Sequence, residues 1–156
     1  MLKVLMISAF ALIASGPVFG QDIAAVDPTG PVTDIPGVVK NCELVAGAVD
    51  DTSFKGICIG ATQKYLDGLV GQDPAAIDQN ITDLVLALAP LAQNDEACNA
   101  LDDEVAQAIR LASTRASTPD QVARLVEIAD TIAACDAGTT AAIGDLPPGG
   151  DPASPA

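Results

Sequence analysis

Four cysteines, Cys42, Cys58, Cys98 and Cys135, are the residues of this 156-residue chain whose type and spacing most directly suggest chemistry. They could pair as disulfides or hold a metal as thiolates. Their separations are 16, 40 and 37 residues, there is no C-x-x-C, and the chain has no histidine. Structural zinc takes closely spaced cysteine pairs, often with histidine. The pattern therefore predicts two disulfides, which belong to an oxidising compartment.

Carboxylates form the second candidate set, at Asp95, Glu96, Asp102, Asp103 and Glu104. They could ligate calcium or act as a general acid and base. No D-x-D-x-D-G loop is present, and the helix dipole favours acids in the first turns of a helix. They therefore read as the wet start of a helix, and Asp50-Asp51 as a helix end. Without histidine, Ser-His and Cys-His pairs are excluded. A Ser-Lys dyad would draw on Ser53, Ser113 or Ser117 with Lys40, Lys55 or Lys64, but no S-x-x-K motif occurs. Lys64-Tyr65 reads as a snorkelling lysine beside a core aromatic. Both methionines, Met1 and Met6, precede residue 21, and no glycine-rich phosphate loop is present. These features point to a protein that is not an enzyme and takes no cofactor.

Segments of different composition frame these residues. Residues 1–20 read as a signal peptide. Lys3 supplies the positive end, Val4 to Ala14 the apolar run, and Val18 and Gly20 the small side chains before a cleavage at Gln21. A membrane span would need about 20 apolar residues. Residues 21–36 carry Pro28, Gly30, Pro31 and Pro36 and read as an extended leader. Residues 139–156, rich in Pro, Gly and Ala, read as a disordered tail. The body, 37–138, is the expected domain. Removing 1–20 leaves six basic residues against 21 acidic ones. Such a surface repels phosphate backbones, which excludes nucleic acid as a partner.

Within the body, apolar periodicity predicts an all-α fold, a small disulfide-stapled bundle of four to five helices. The first helix spans about 38–50 with Val38, Val39, Cys42, Val45, Ala46 and Val49 inward. The second spans about 57–70 with Cys58, Ala61, Tyr65, Leu66 and Leu69 inward. Gly60 and Gly68 weaken it and leave room for a close helix contact. The third starts at Asp73-Pro74, a strong cap signal. Its stripe is Ile77, Ile81, Leu84, Val85, Leu88 and Leu91, and Pro90 should kink or end it. Leu84 to Ala89 is apolar on every face, which predicts a place in the middle of the bundle. The fourth spans about 95–115 and buries Cys98, Leu101, Val105, Ala108, Ile109 and Ala112. The fifth starts at Thr118-Pro119, with Gln121 completing a capping box. It buries Val122, Leu125, Val126, Ala129 and Ile132 and ends at Gly138.

Helices four and five share a short turn near residue 117 and should pack antiparallel. Cys98 and Cys135 then lie about 27–29 Å from the turn at 1.5 Å per residue, at the same end of the hairpin. This favours Cys98 with Cys135 and leaves Cys42 with Cys58, one of three possible connectivities.

Only Phe54 and Tyr65 remain as aromatics after residue 20. Phe54 lies in a polar loop, where it either folds back on the core or faces a partner. The sequon Asn80-Ile81-Thr82 falls inside a core helix and reads as chance. The run Cys42 to Gly47, with Asp50, Gly56, Cys58 and Tyr65-Leu66, resembles small periplasmic immunity proteins of the type VI secretion amidase-inhibitor kind. The overlap covers about a quarter of the chain and lacks the proline expected after the second cysteine, so no family is assigned.

The function expected is an exported, periplasmic or secreted, binding or inhibitory module for another envelope or secreted protein, basic or neutral in character. The alternative is a structural envelope protein that binds calcium weakly through its acidic face.

Overall fold

Helix starts in this chain are marked by short side chains that accept free backbone N–H groups. Asp34 accepts from Gly37 N–H at 2.8 Å and opens α1 (Ile35–Ala46), three residues earlier than periodicity suggests. Pro36 falls in the first turn, where its missing N–H is no loss. Asp73 accepts from Ala75 N–H at 2.9 Å and, with Pro74, opens α3 (Pro74–Leu88). Asn99 and Asp102 form a reciprocal capping box on α4 (Ala100–Ser113), with Asn99 N–H donating to Asp102 Oδ2 at 2.8 Å. Thr118 caps α5 (Pro119–Ala133) by accepting from Gln121 N–H at 3.3 Å. Only half of the predicted box forms there, because the Gln121 side chain turns toward α3. The remaining helix, α2 (Ile57–Gly68), has no side-chain cap of its own and starts after Gly56 in the left-handed region, φ 83°.

The computed structural model describes residues 30–46, 52–92 and 99–135. These form the five α-helices, a 3₁₀ turn at Thr52–Phe54 and a 3₁₀ segment at Ala89–Ala92, with no strand among them. The segment containing Pro90 takes over where α3 stops. No described helix is long and apolar enough to cross a membrane. Residues 1–20, 21–29 and 139–156, read as signal, leader and tail, lie outside the described residues.

Packing revises the expected order of the bundle. The middle position belongs to α4, which contacts α5, α2, α1, α3 and the Ala89–Ala92 segment. The cause is side-chain size. Ala106, Ala108 and Ala112 are fully buried and lack the bulk to hold neighbours away, so helices approach α4 from several sides. α3, by contrast, leaves Leu86 44% exposed despite its apolar sequence. The core is aliphatic: Leu66, Ile81, Leu84, Leu88, Ile109, Leu125 and Ile128 are its largest wholly enclosed hydrophobic side chains. Each such burial stabilises by about 1.5–3 kcal/mol.

Other expectations shift by a residue or a turn. On α5 the buried stripe runs through Leu125, Ile128, Ala129 and Ile132, while Val126 faces solvent and Val122 is half-buried. α5 ends at Ala133, and Cys135 takes the left-handed conformation, φ 52°. Val32 joins the core, so the end of the expected leader is packed rather than free. Gly60 and Gly68 are not close-contact glycines: a Cβ at either would meet nothing within 4 Å.

The Cys42–Cys58 disulfide joins α1 to α2 across a Cα–Cα distance of 4.2 Å. Both cysteines are fully buried. Cys42 lies four residues before Ala46, where the described part of α1 ends, and Cys58 sits in the first turn of α2; Val49 and Asp50 of the expected first helix lie outside the described residues. Cys135 is also disulfide-bonded. Cys98, its expected partner, lies outside the described residues.

Candidate functional site

The carboxylates that the sequence placed together serve different parts of the fold. Asp95 and Glu96 lie outside the described residues. Asp102 is spent in its capping box, and Asp103 is exposed. Glu104 points into the protein and is nearly fully buried. Its Oε1 accepts from Gly56 N–H and its Oε2 from Cys58 N–H at 3.1 Å. It is therefore the cap that α2 lacks, supplied from 46 residues away. Among the described residues no group of three His, Cys, Asp or Glu side chains could hold a metal ion.

A second buried carboxylate, Asp78 on α3, holds the turn between α4 and α5. Its Oδ1 accepts from Ser117 N–H at 2.7 Å and its Oδ2 from the Ser117 hydroxyl. The Asp78 main-chain oxygen accepts from Gln121 Nε2 at 2.9 Å and from the Thr82 hydroxyl at 3.0 Å. Ser117, a candidate nucleophile by type, is thus a donor to a structural carboxylate. The Ser113 hydroxyl donates to Arg110 O at 2.7 Å, within its own helix.

Among the described residues, a groove of about 460 Å³ between residues 31–33 and α2 is open to a ligand. One wall is Pro31, Val32 and Thr33; the other runs along Lys64, Tyr65, Gly68, Leu69 and Gln72. Lys64 fixes the first wall, its Nζ donating to Gly30 O at 3.0 Å. The Tyr65 ring is buried, and its hydroxyl donates to Asn80 Oδ1 at 3.2 Å. Asn80, of the chance sequon, donates in turn to Ala76 O at 2.8 Å. Burial, then the carboxylates of Asp83 and Asp34, push the phenol above the usual tyrosine range. At neutral pH it is a neutral donor. Asp67 lines the groove but is engaged by Arg115 at 2.8 Å and Gln63 at 2.7 Å. Val70, just beyond Leu69, is 67% exposed.

The groove is large enough to receive an apolar or extended segment. Of the sequence candidates it gathers Lys64 and Tyr65, but their polar ends serve different partners. Phe54 is half-buried in its 3₁₀ turn. The role of residues 31–33 was missed because proline and glycine there signalled an unpacked leader; the alternation that buries Val32 between Pro31 and Thr33 was the available clue. Compared with known proteins, the chain matches no family model, no curated protein and no solved structure.

Proposed function

We propose that the protein is an exported, non-enzymatic binding or inhibitory module that engages another envelope or secreted protein through the groove beside Tyr65. The observation that carries this reading is the groove itself, with Val70, the chain neighbour of its lining residue Leu69, left 67% exposed. An exposed aliphatic side chain beside a concave wall is what a protein partner desolvates. The acidic balance of the chain, net −14, favours a basic or neutral partner and steers its approach. The signal-like residues 1–20 and the disulfides support an oxidising location.

Gly68 provides a test that spares the fold. A side chain there enters open space, so Gly68→Arg adds bulk at the groove's lining without a core clash. Site-specific crosslinking from Gln72 in the native host should yield one discrete adduct. That adduct should be lost in Gly68→Arg and in Val70→Asp, with unchanged circular dichroism. An adduct pattern that neither substitution alters would refute groove-mediated binding.

A further inference from the structure

We infer that Glu104 locks the Cys42–Cys58 disulfide, holding a negative charge where reduction would have to place another. Both sulfurs are enclosed, and the Cys58 N–H donates directly to Glu104 Oε2 at 3.1 Å. A cysteine in the first turn of a helix ordinarily gains thiolate stability from the free N–H groups and the positive end of the helix dipole. Here two of the donors at this end are already taken. Gly56 N–H and Cys58 N–H both serve the Glu104 carboxylate, and the N-cap residue, Gly56, has no side chain to add. The feature that would make Cys58 a good leaving group is thereby inverted.

The reaction opposed is thiol–disulfide exchange. A thiolate of dithiothreitol attacks one sulfur, the S–S bond breaks, and the other cysteine leaves as a thiolate. The second dithiothreitol thiol, deprotonated, then displaces the first cysteine, also as a thiolate. Two electrons pass to the protein and dithiothreitol closes to its cyclic disulfide. Exchange slows as the leaving thiolate becomes less stable. A like charge hydrogen-bonded to the cysteine's own N–H in a buried site changes such a rate by about tenfold or more. The Cys42–Cys58 bond is therefore a permanent staple and not an exchangeable redox pair.

The test measures reduction of this one bond by excess dithiothreitol, read by alkylation and mass spectrometry of the peptides containing Cys42 and Cys58. Four proteins are compared: wild type, Glu104→Gln, Asp78→Asn and Lys55→Glu. Asp78→Asn removes a buried carboxylate latch elsewhere and calibrates how reduction rate follows stability alone. Lys55 is exposed and lies next to Gly56, so reversing its charge leaves the core untouched. Each rate is corrected for that variant's unfolding equilibrium. Glu104→Gln should then be reduced about tenfold faster than Asp78→Asn, and Lys55→Glu about twofold slower than wild type. In denaturing guanidinium Glu104→Gln and Asp78→Asn should match wild type. If Glu104→Gln falls on the same rate–stability line as Asp78→Asn, Glu104 is a cap and nothing more. Should Glu104→Gln fail to fold, Lys55→Glu decides: a corrected rate equal to or above wild type overturns the lock.

Discussion

Truncating Asp78 to alanine should destabilise the fold by about 3 kcal/mol. The carboxylate accepts two hydrogen bonds from Ser117, and it is 2% exposed. Hydrogen bonds to a charged group contribute about 1.5–3 kcal/mol each, which sets a gross loss near 5 kcal/mol. Removing a buried charge also relieves a desolvation penalty of several kcal/mol. The relief offsets only part of the loss, because both contacts to the α4–α5 turn go with the carboxylate. The assay is urea unfolding followed at 222 nm. In a domain of about a hundred residues, 3 kcal/mol corresponds to a fall in Tm of roughly 12–24 °C. A double-mutant cycle with Ser117→Ala isolates the hydroxyl contact, and its coupling should be about 1 kcal/mol. A cost below about 1 kcal/mol for Asp78→Ala, with no coupling to Ser117, would refute the claim that this carboxylate fastens the α4–α5 turn to α3.

Gly60→Ala should stabilise by about 0.5–1 kcal/mol, since a helical Cβ meets open space there; a loss in urea midpoint would contradict the packing. Replacing Cys42 and Cys58 by serine should cost about 3 kcal/mol, as expected for a closed loop of this length; the measurement is the urea midpoint of the oxidised protein and variant. The raised Tyr65 ionisation gives alkaline sensitivity. The unfolded phenol releases its proton near pH 10 and the folded one later, so the unfolded state binds fewer protons in that window. Stability contributed by Tyr65 is present below about pH 10 and falls as pH rises through the folded value. Tyr65→Phe should flatten that limb of the stability–pH curve, and an unchanged slope would reject the assignment. Calcium at millimolar concentration should leave Tm unchanged; a rise would favour the cation-binding alternative.

The parts of this fold that depend on near neighbours were legible in the sequence. Asp73-Pro74 and Thr118-Pro119 start helices because a cap and its target are two or three residues apart. The stripe from Cys58 to Leu69 is buried throughout, because period alone decides which side of α2 is apolar. The pairing of Cys42 with Cys58 was also legible, although it was reached from the other pair. What could not be read depended on distant partners. Glu104 looks like any acid in an early helical turn until α2 presents its uncapped N–H groups. Gln121 fits a capping box until Asp78 and Thr82 offer it a better place. The centrality of α4 was hidden because alanine scores as mildly apolar, whereas its effect in packing is to allow proximity. Of the candidate groove, Lys64 and Tyr65 were singled out, but the wall at 31–33 was not.

The position of α4 has a consequence for the order in which the chain can be assembled. A polypeptide is made from its amino end, so everything up to residue 92 is synthesised before the helix that joins it. α1 and α2 can find each other early, and their cysteines, 16 residues apart, can be oxidised while the first turn of α2 still frays. Only when residues 100–113 arrive does that turn gain its acceptor and the half-built bundle its common wall. A fragment ending before residue 99, once oxidised, would thus carry an accessible sulfur bridge and an uncovered aliphatic surface, the state in which a chaperone or an isomerase could still correct it.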